Sequence, residues 1–173
     1  MKLFEIAQEI NERKNVGIIY HFTSYKGMVS ILNDGLKLEN KFGDPKDDAN
    51  RYISFTRDRR MVSDSVFRQV RITVDGTMLS DRYQIRPYAD NKAGYGRTTH
   101  DEKEERALVK KKDGFVDISG CVIRIDIRNI NTFLDDEEDD FGGDMEPPGY
   151  SDYLKLIDIL SKTQIPYKIV NKY

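Results

Sequence analysis

"GIIYHFTSYKGMVSILNDGLKLEN", residues 17–40, decides how the chain is read. Its first part, with Val16 before it, is rich in β-branched and aromatic residues and predicts a buried strand. Ser24 then stands where a hydroxyl can cap a helix, and Tyr25, Met28, Val29 and Leu32 follow at helical spacing. Gly35 suits the left-handed position that ends such a helix. A strand therefore runs into a short helix through Tyr20, His21, Phe22 and Thr23. Alternation puts His21 and Thr23 on one face of that strand, where a hydroxyl-rich ligand can meet an imidazole. The plainer reading is a histidine satisfied at the rim of the core.

Working outward, "RYISFT" predicts a second strand, with Ser54 and Thr56 sharing one face and Ile53 and Phe55 the other. "RQVRITVD" alternates Val70, Ile72 and Val74 with polar residues, which predicts a half-exposed strand. Gly76 begins a turn, and "YQIRPY" is a short extended piece. "EERALV" fits helix or strand, whereas "CVIRIDI" is a strand. "SDYLKLIDILSK" is a capped helix with Tyr153, Leu154, Ile157 and Leu160 on one side, and "IPYKIV" is the last strand. Residues 2–14 predict an amphipathic helix and 89–103 a loop. Short strands interrupted by a few helices, without repeats, indicate one α+β domain over residues 1–173.

Composition narrows the function. Apolar residues make up 38% and charged residues 34%, which suits a globular chain with a solvated surface. A net charge of -2 supplies no general field for nucleic acid, so such binding needs a local patch. The segment "RDRRMVSDSVFRQVR" offers one, with Arg57, Arg59, Arg60, Arg68 and Arg71 beside Phe67, although an ordinary charged surface has the same composition. A single cysteine, Cys121, excludes an internal disulfide framework and a four-thiolate zinc site, and its apolar run predicts a buried, inert thiol. Two histidines, His21 and His100, lack compact metal-ligand spacing, so no metal is expected. The acidic run "DDEEDDFGGDMEPPGY" lacks the ordered spacing of a calcium loop and reads as a solvated segment. "MKLFEIAQEINERKN" has no continuous apolar core like that of a secretory signal, and no run reaches the ~18 apolar residues of a membrane span. A cytoplasmic location without membrane association is expected.

"YHFTSYKGMVSILNDGL" resembles the opening of ADP-ribosyltransferase domains, especially the DNA-modifying toxins of toxin–antitoxin pairs. The later order "YISFTRD", "VRITVDGTMLSDRYQIRPY", "EERAL" and "CVIRIDI" resembles viral and phage proteins of that superfamily, and the likeness spans residues 17–127. It implies an α+β fold with a split, bent pair of sheets holding NAD as co-substrate, and transfer of ADP-ribose to a host nucleic acid or protein. A phage, viral or toxin effector is the implied setting.

The resemblance makes Glu105 the catalytic carboxylate, with Glu104 and Glu102 as alternates. His21 would hydrogen-bond a ribose hydroxyl, supported by Thr23, while Ser54 and Thr56 shape the nicotinamide side. Arg51, Arg57 or both would meet the pyrophosphate, and Tyr52 or Tyr83 would stack on nicotinamide. Lys103 stands where many protein-modifying relatives carry a second carboxylate or Gln, a departure that speaks against arginine as acceptor. The loop bearing Tyr95, Arg97 and His100 falls where relatives recognise the acceptor. Two other functions fit the same fold: a non-catalytic binder of nucleotide or partner, and an NAD-dependent RNA 2′-phosphotransferase, which needs a more basic cleft.

Overall fold

A computed structural model describes residues 16–39, 52–59, 69–87, 104–109, 114–133 and 149–171. Arg51, Glu102, the helix expected over 2–14, the loop expected over 89–103 with Tyr95, Arg97 and His100, and the acidic run lie outside the described residues. So do Arg60, Phe67 and Arg68 of the basic segment.

The opening stretch forms strand β1 (Ile18–Thr23) and helix α1 (Tyr25–Asn33). Ser24 caps the helix, its Oγ accepting from the Gly27 N–H at 3.0 Å and so occupying one of the donors a first turn leaves unpaired. At the far end Gly35 takes a φ of 72°, and the Leu36 N–H donates back to the Ile31 carbonyl at 2.8 Å. That closure ends the helix and turns the chain into β2 (Lys37–Glu39).

The remaining elements are β3 (Tyr52–Thr56), β4 (Val70–Asp75), α2 (Gly76–Ser80), β5 (Ile85–Pro87), β6 (Glu104–Leu108), β7 (Phe115–Asp117), β8 (Val122–Arg128), a 3₁₀ turn (Ile130–Phe133), α3 (Tyr150–Ser161) and β9 (Tyr167–Val170). Seven strands make one sheet in the order β5-β6-β3-β1-β4-β8-β9, and β2 pairs with β7 in a second sheet. Neighbours in the large sheet are antiparallel except β8 and β9, which run parallel, so the chain must cross over between them and does so through α3. The architecture is α+β. Among the described residues no helix is long and apolar enough to cross a membrane.

One apolar cluster unites the elements. Ile19, Phe55, Ile72, Ile125 and Ile127 come from the large sheet, Met28 and Ile31 from α1, Leu156 and Leu160 from α3, and Leu38 and Val116 from the small sheet. Its seams are polar but paired: the Tyr25 hydroxyl donates to the Arg128 carbonyl at 2.6 Å, and the Tyr25 N–H donates to Gln69 Oε1 at 2.9 Å. Cys121 is buried, as a cysteine in an apolar run should be.

Four local expectations change. β4 is buried on both faces rather than half-exposed, because it is paired on both sides within the sheet and Arg71 finds Asp126 on β8. Gly76 opens the short helix α2 rather than a turn, since Asp75 Oδ1 accepts from the Met78 N–H at 3.0 Å and caps it. "EERAL" resolves as strand, paired on both sides by β3 and β5. In α3 the buried stripe runs through Leu156 and Leu160, while Leu154 is 50% exposed. The helix there follows Gly149 in the left-handed region, with no side-chain cap.

Candidate functional site

The register of β1, β3 and β6 brings the sequence candidates to known positions. Tyr20 stands opposite Thr56, so His21 faces Phe55 one place along, and Phe55 stands opposite Glu105. Residues directly opposed across an antiparallel pair occupy the same sheet face. His21, Phe55 and Glu105 therefore form one row across three strands. Two inter-strand steps separate the outer members, roughly 9–10 Å between Cα atoms. The row continues on the other side through Ile72 and Ile125 into the core.

His21 is half-buried in this row. Its ring packs on Phe55 with centroids 5.7 Å apart, and Nδ1 lies 3.0 Å from the Ser54 carbonyl oxygen. A carbonyl only accepts, so Nδ1 carries the proton. Burial holds the imidazole below its ordinary pKa, partly offset by the bond to Ser54. The neutral ring then presents Nε2 as an acceptor, and among the described residues none hydrogen-bonds that atom. A ligand at His21 thus meets an acceptor only. The ring's one donor is already used by the protein.

Thr23 shares the His21 face and sits against α1, so close that a Cβ on Gly27 would collide with its Oγ1. Gly27 is what lets the helix approach this corner. Ser54, Thr56 and Tyr52 do not join the row. Alternation along β3 puts them on the opposite face from Phe55, and therefore from His21. Ser54 and Thr56, expected to shape the nicotinamide side, thus stand on the face away from His21. Thr56 is buried, its Oγ1 accepting from the Asp58 N–H at 3.0 Å, so it shapes the turn after β3. The Tyr52 ring is covered by Arg106, whose Cζ lies 3.6 Å from its centroid. Arg57 is exposed just beyond β3. Tyr83, the other tyrosine considered for stacking, is in the core, its hydroxyl accepting from the Asp117 N–H at 2.9 Å.

The opposite sheet face carries chemistry that the sequence reading passed over. Arg71 and Asp126 form an ion pair at 2.6 Å with both side chains almost wholly buried. Arg71 Nη1 also donates to the Arg59 carbonyl at 2.8 Å, and its guanidinium lies 5.6 Å from the Tyr20 ring centroid. Of the basic segment, Arg71 is thus committed inside the protein rather than offered to phosphates. The signal that could have revealed the pair was the alternation "VRITVD" against "VIRIDI", which lets an arginine and an aspartate meet across two strands. Among the described residues no three His, Cys, Asp or Glu side chains gather as a metal-binding group.

Comparison with protein families, with curated proteins and with solved structures finds no match.

Proposed function

We propose that the chain is an NAD-dependent mono-ADP-ribosyltransferase acting on a nucleic acid or protein. The observation that supports this reading is the backbone register that aligns positions 21, 55 and 105 across three strands, with His21 Nε2 an acceptor that no described residue hydrogen-bonds. NAD supplies an ADP-ribosyl group whose bond to nicotinamide breaks as positive charge develops on the ribose. Glu105 is the residue in the row that can stabilise such charge, since a fixed carboxylate gains strength as the charge grows. His21 Nε2 accepts from a ribose hydroxyl, and the Ser54 carbonyl holds the imidazole in the required tautomer. Thr23 supports the corner from the same face.

The test is nicotinamide release and transfer of labelled ADP-ribose to single-stranded DNA, RNA and protein acceptors. Glu105→Gln should lower turnover by roughly 10²–10³-fold, the usual effect of deleting one electrostatic stabiliser of a transition state. NAD binding by calorimetry should change far less. Full activity in that variant would remove the carboxylate assignment, and a wild type silent on every acceptor would remove the enzyme.

A second reading, a non-catalytic nucleotide or partner binder on the same sheet, is favoured by one observation. Ser54, Thr56 and Tyr52 lie away from the His21 face, so the row has fewer polar companions than the transferase reading calls for. NAD that raises the melting temperature without turnover would select this reading, because a ligand bound only to the native state stabilises by mass action.

A further inference from the structure

We propose that Gln69 is a positioning residue, which sets the His21–Thr23 corner for a ribose by holding the first turn of α1 in place. The inference rests on the transferase reading of that corner. Gln69 stands just before β4. Its backbone N–H donates to the Thr23 carbonyl at 3.1 Å, and its side-chain Oε1 accepts from the Tyr25 N–H at 2.9 Å. One residue thus grips the chain on both sides of Ser24, where β1 gives way to α1. The Gln69 carbonyl in turn accepts from the Arg128 N–H at 2.9 Å, so the grip is anchored at the end of β8.

The bond to Tyr25 differs in kind from the cap made by Ser24. Ser24 Oγ takes the Gly27 N–H and the Ser24 carbonyl takes that of Met28, which closes the first turn on itself. The Tyr25 N–H opens the helix and has no carbonyl of its own helix to reach. Gln69 supplies an acceptor from another element, so this bond fixes the helix relative to the sheet. Gln69 is only 6% exposed, and a buried amide is costly to keep unless its bonds are made.

The placement of that turn reaches Thr23. α1 lies so close to the strand end that a Cβ on Gly27 would collide with Thr23 Oγ1. The hydroxyl is therefore confined between its own strand and the first turn, on the face that carries His21. His21 Nε2 offers a ligand an acceptor only, whereas a threonine hydroxyl can also donate. The two side chains together suit the paired hydroxyls of a ribose. The imidazole is held by the Ser54 carbonyl, and the hydroxyl by the turn that Gln69 pins.

NAD calorimetry and steady-state turnover, run well below the melting temperature of each protein, test the assignment on wild type, Gln69→Met, Gly27→Ala and the core control Leu156→Ala. Gln69→Met keeps the side-chain length and deletes the acceptor. It should weaken NAD binding up to about tenfold, as misplacing one hydrogen-bonding group does, and raise KM with kcat nearly unchanged. That split is the reverse of the one expected of Glu105→Gln. Gly27→Ala leaves the Gln69–Tyr25 bond intact and improves helix propensity, but its methyl group turns the Thr23 hydroxyl aside. It should stay folded and weaken NAD binding to a similar degree, which separates the corner from overall folding. Leu156→Ala should melt lower than wild type and bind NAD equally well. Unchanged NAD binding in Gln69→Met or in Gly27→Ala overturns the proposal and leaves the transferase reading standing, as does an equal loss in Leu156→Ala. A wild type that binds no NAD removes that reading, and this inference with it.

Discussion

A single proton governs what His21 can do. Its Nδ1–H is spent on the Ser54 carbonyl, and burial holds the ring neutral. Because the native pKa lies below the unfolded one, the unfolded chain takes up this proton first as pH falls. Stability from His21 is therefore full above the unfolded value of about 6.5 and declines below it until the native ring also protonates. Urea unfolding of wild type and His21→Gln at a series of pH values should show a wild-type excess slope below neutrality, with stability rising as pH rises. Parallel curves would mean that the imidazole titrates alike in both states. The same lowering keeps Nε2 an acceptor at neutral pH, so NAD binding should weaken only in more acid solution, as the native ring itself takes up a proton, and do so less in the variant.

At the scale of elements, the two longer helices are positioned by different means. α1 has a side-chain cap and a closed C-terminus, so Ser24→Ala should cost about 1 kcal/mol in chemical denaturation. α3 has no side-chain cap and is anchored through its buried stripe. Leu156→Ala should therefore cost about 2–5 kcal/mol, the range for a large-to-small change in a packed core. Leu154→Ala, two positions earlier and half exposed, should stay within about 0.5 kcal/mol. Equal effects at the two leucines would show that α3 packs by another face. Both residues read as apolar helix positions, and only the surface α3 meets tells them apart.

Across the whole molecule the large sheet separates two environments. One face joins the apolar cluster and ends in the His21 row, while the other buries Arg71 with Asp126. Such a pair stabilises little against an apolar replacement, yet breaking it strands a buried charge. Asp126→Ala should cost about 3–5 kcal/mol, and Arg71→Met with Asp126→Leu less than the sum of the single changes. A double mutant as damaged as that sum would show that the two residues act independently. Crossing from β8 through α3 to β9 also ties the late part of the chain to the edge of the large sheet. Loosening α3 should consequently weaken the same cooperative unit as breaking the ion pair.

The strand–cap–helix opening, the strands "YISFT" and "CVIRIDI" and the α+β class were legible in the residues, because periodicity, capping and glycine conformation act over a few positions along the chain. The pairing of His21 with Phe55 and Glu105 was not, nor were the exclusion of Ser54 and Thr56 from that face and the burial of β4 on both sides. Those depend on register between strands far apart in sequence, where a slip of one residue exchanges every side chain between faces. Alternation shows which residues of one strand travel together. Only the tertiary pairing determines which sets meet, and hence that positions 21, 55 and 105 fall in one register row while Arg71 finds Asp126 on the other face.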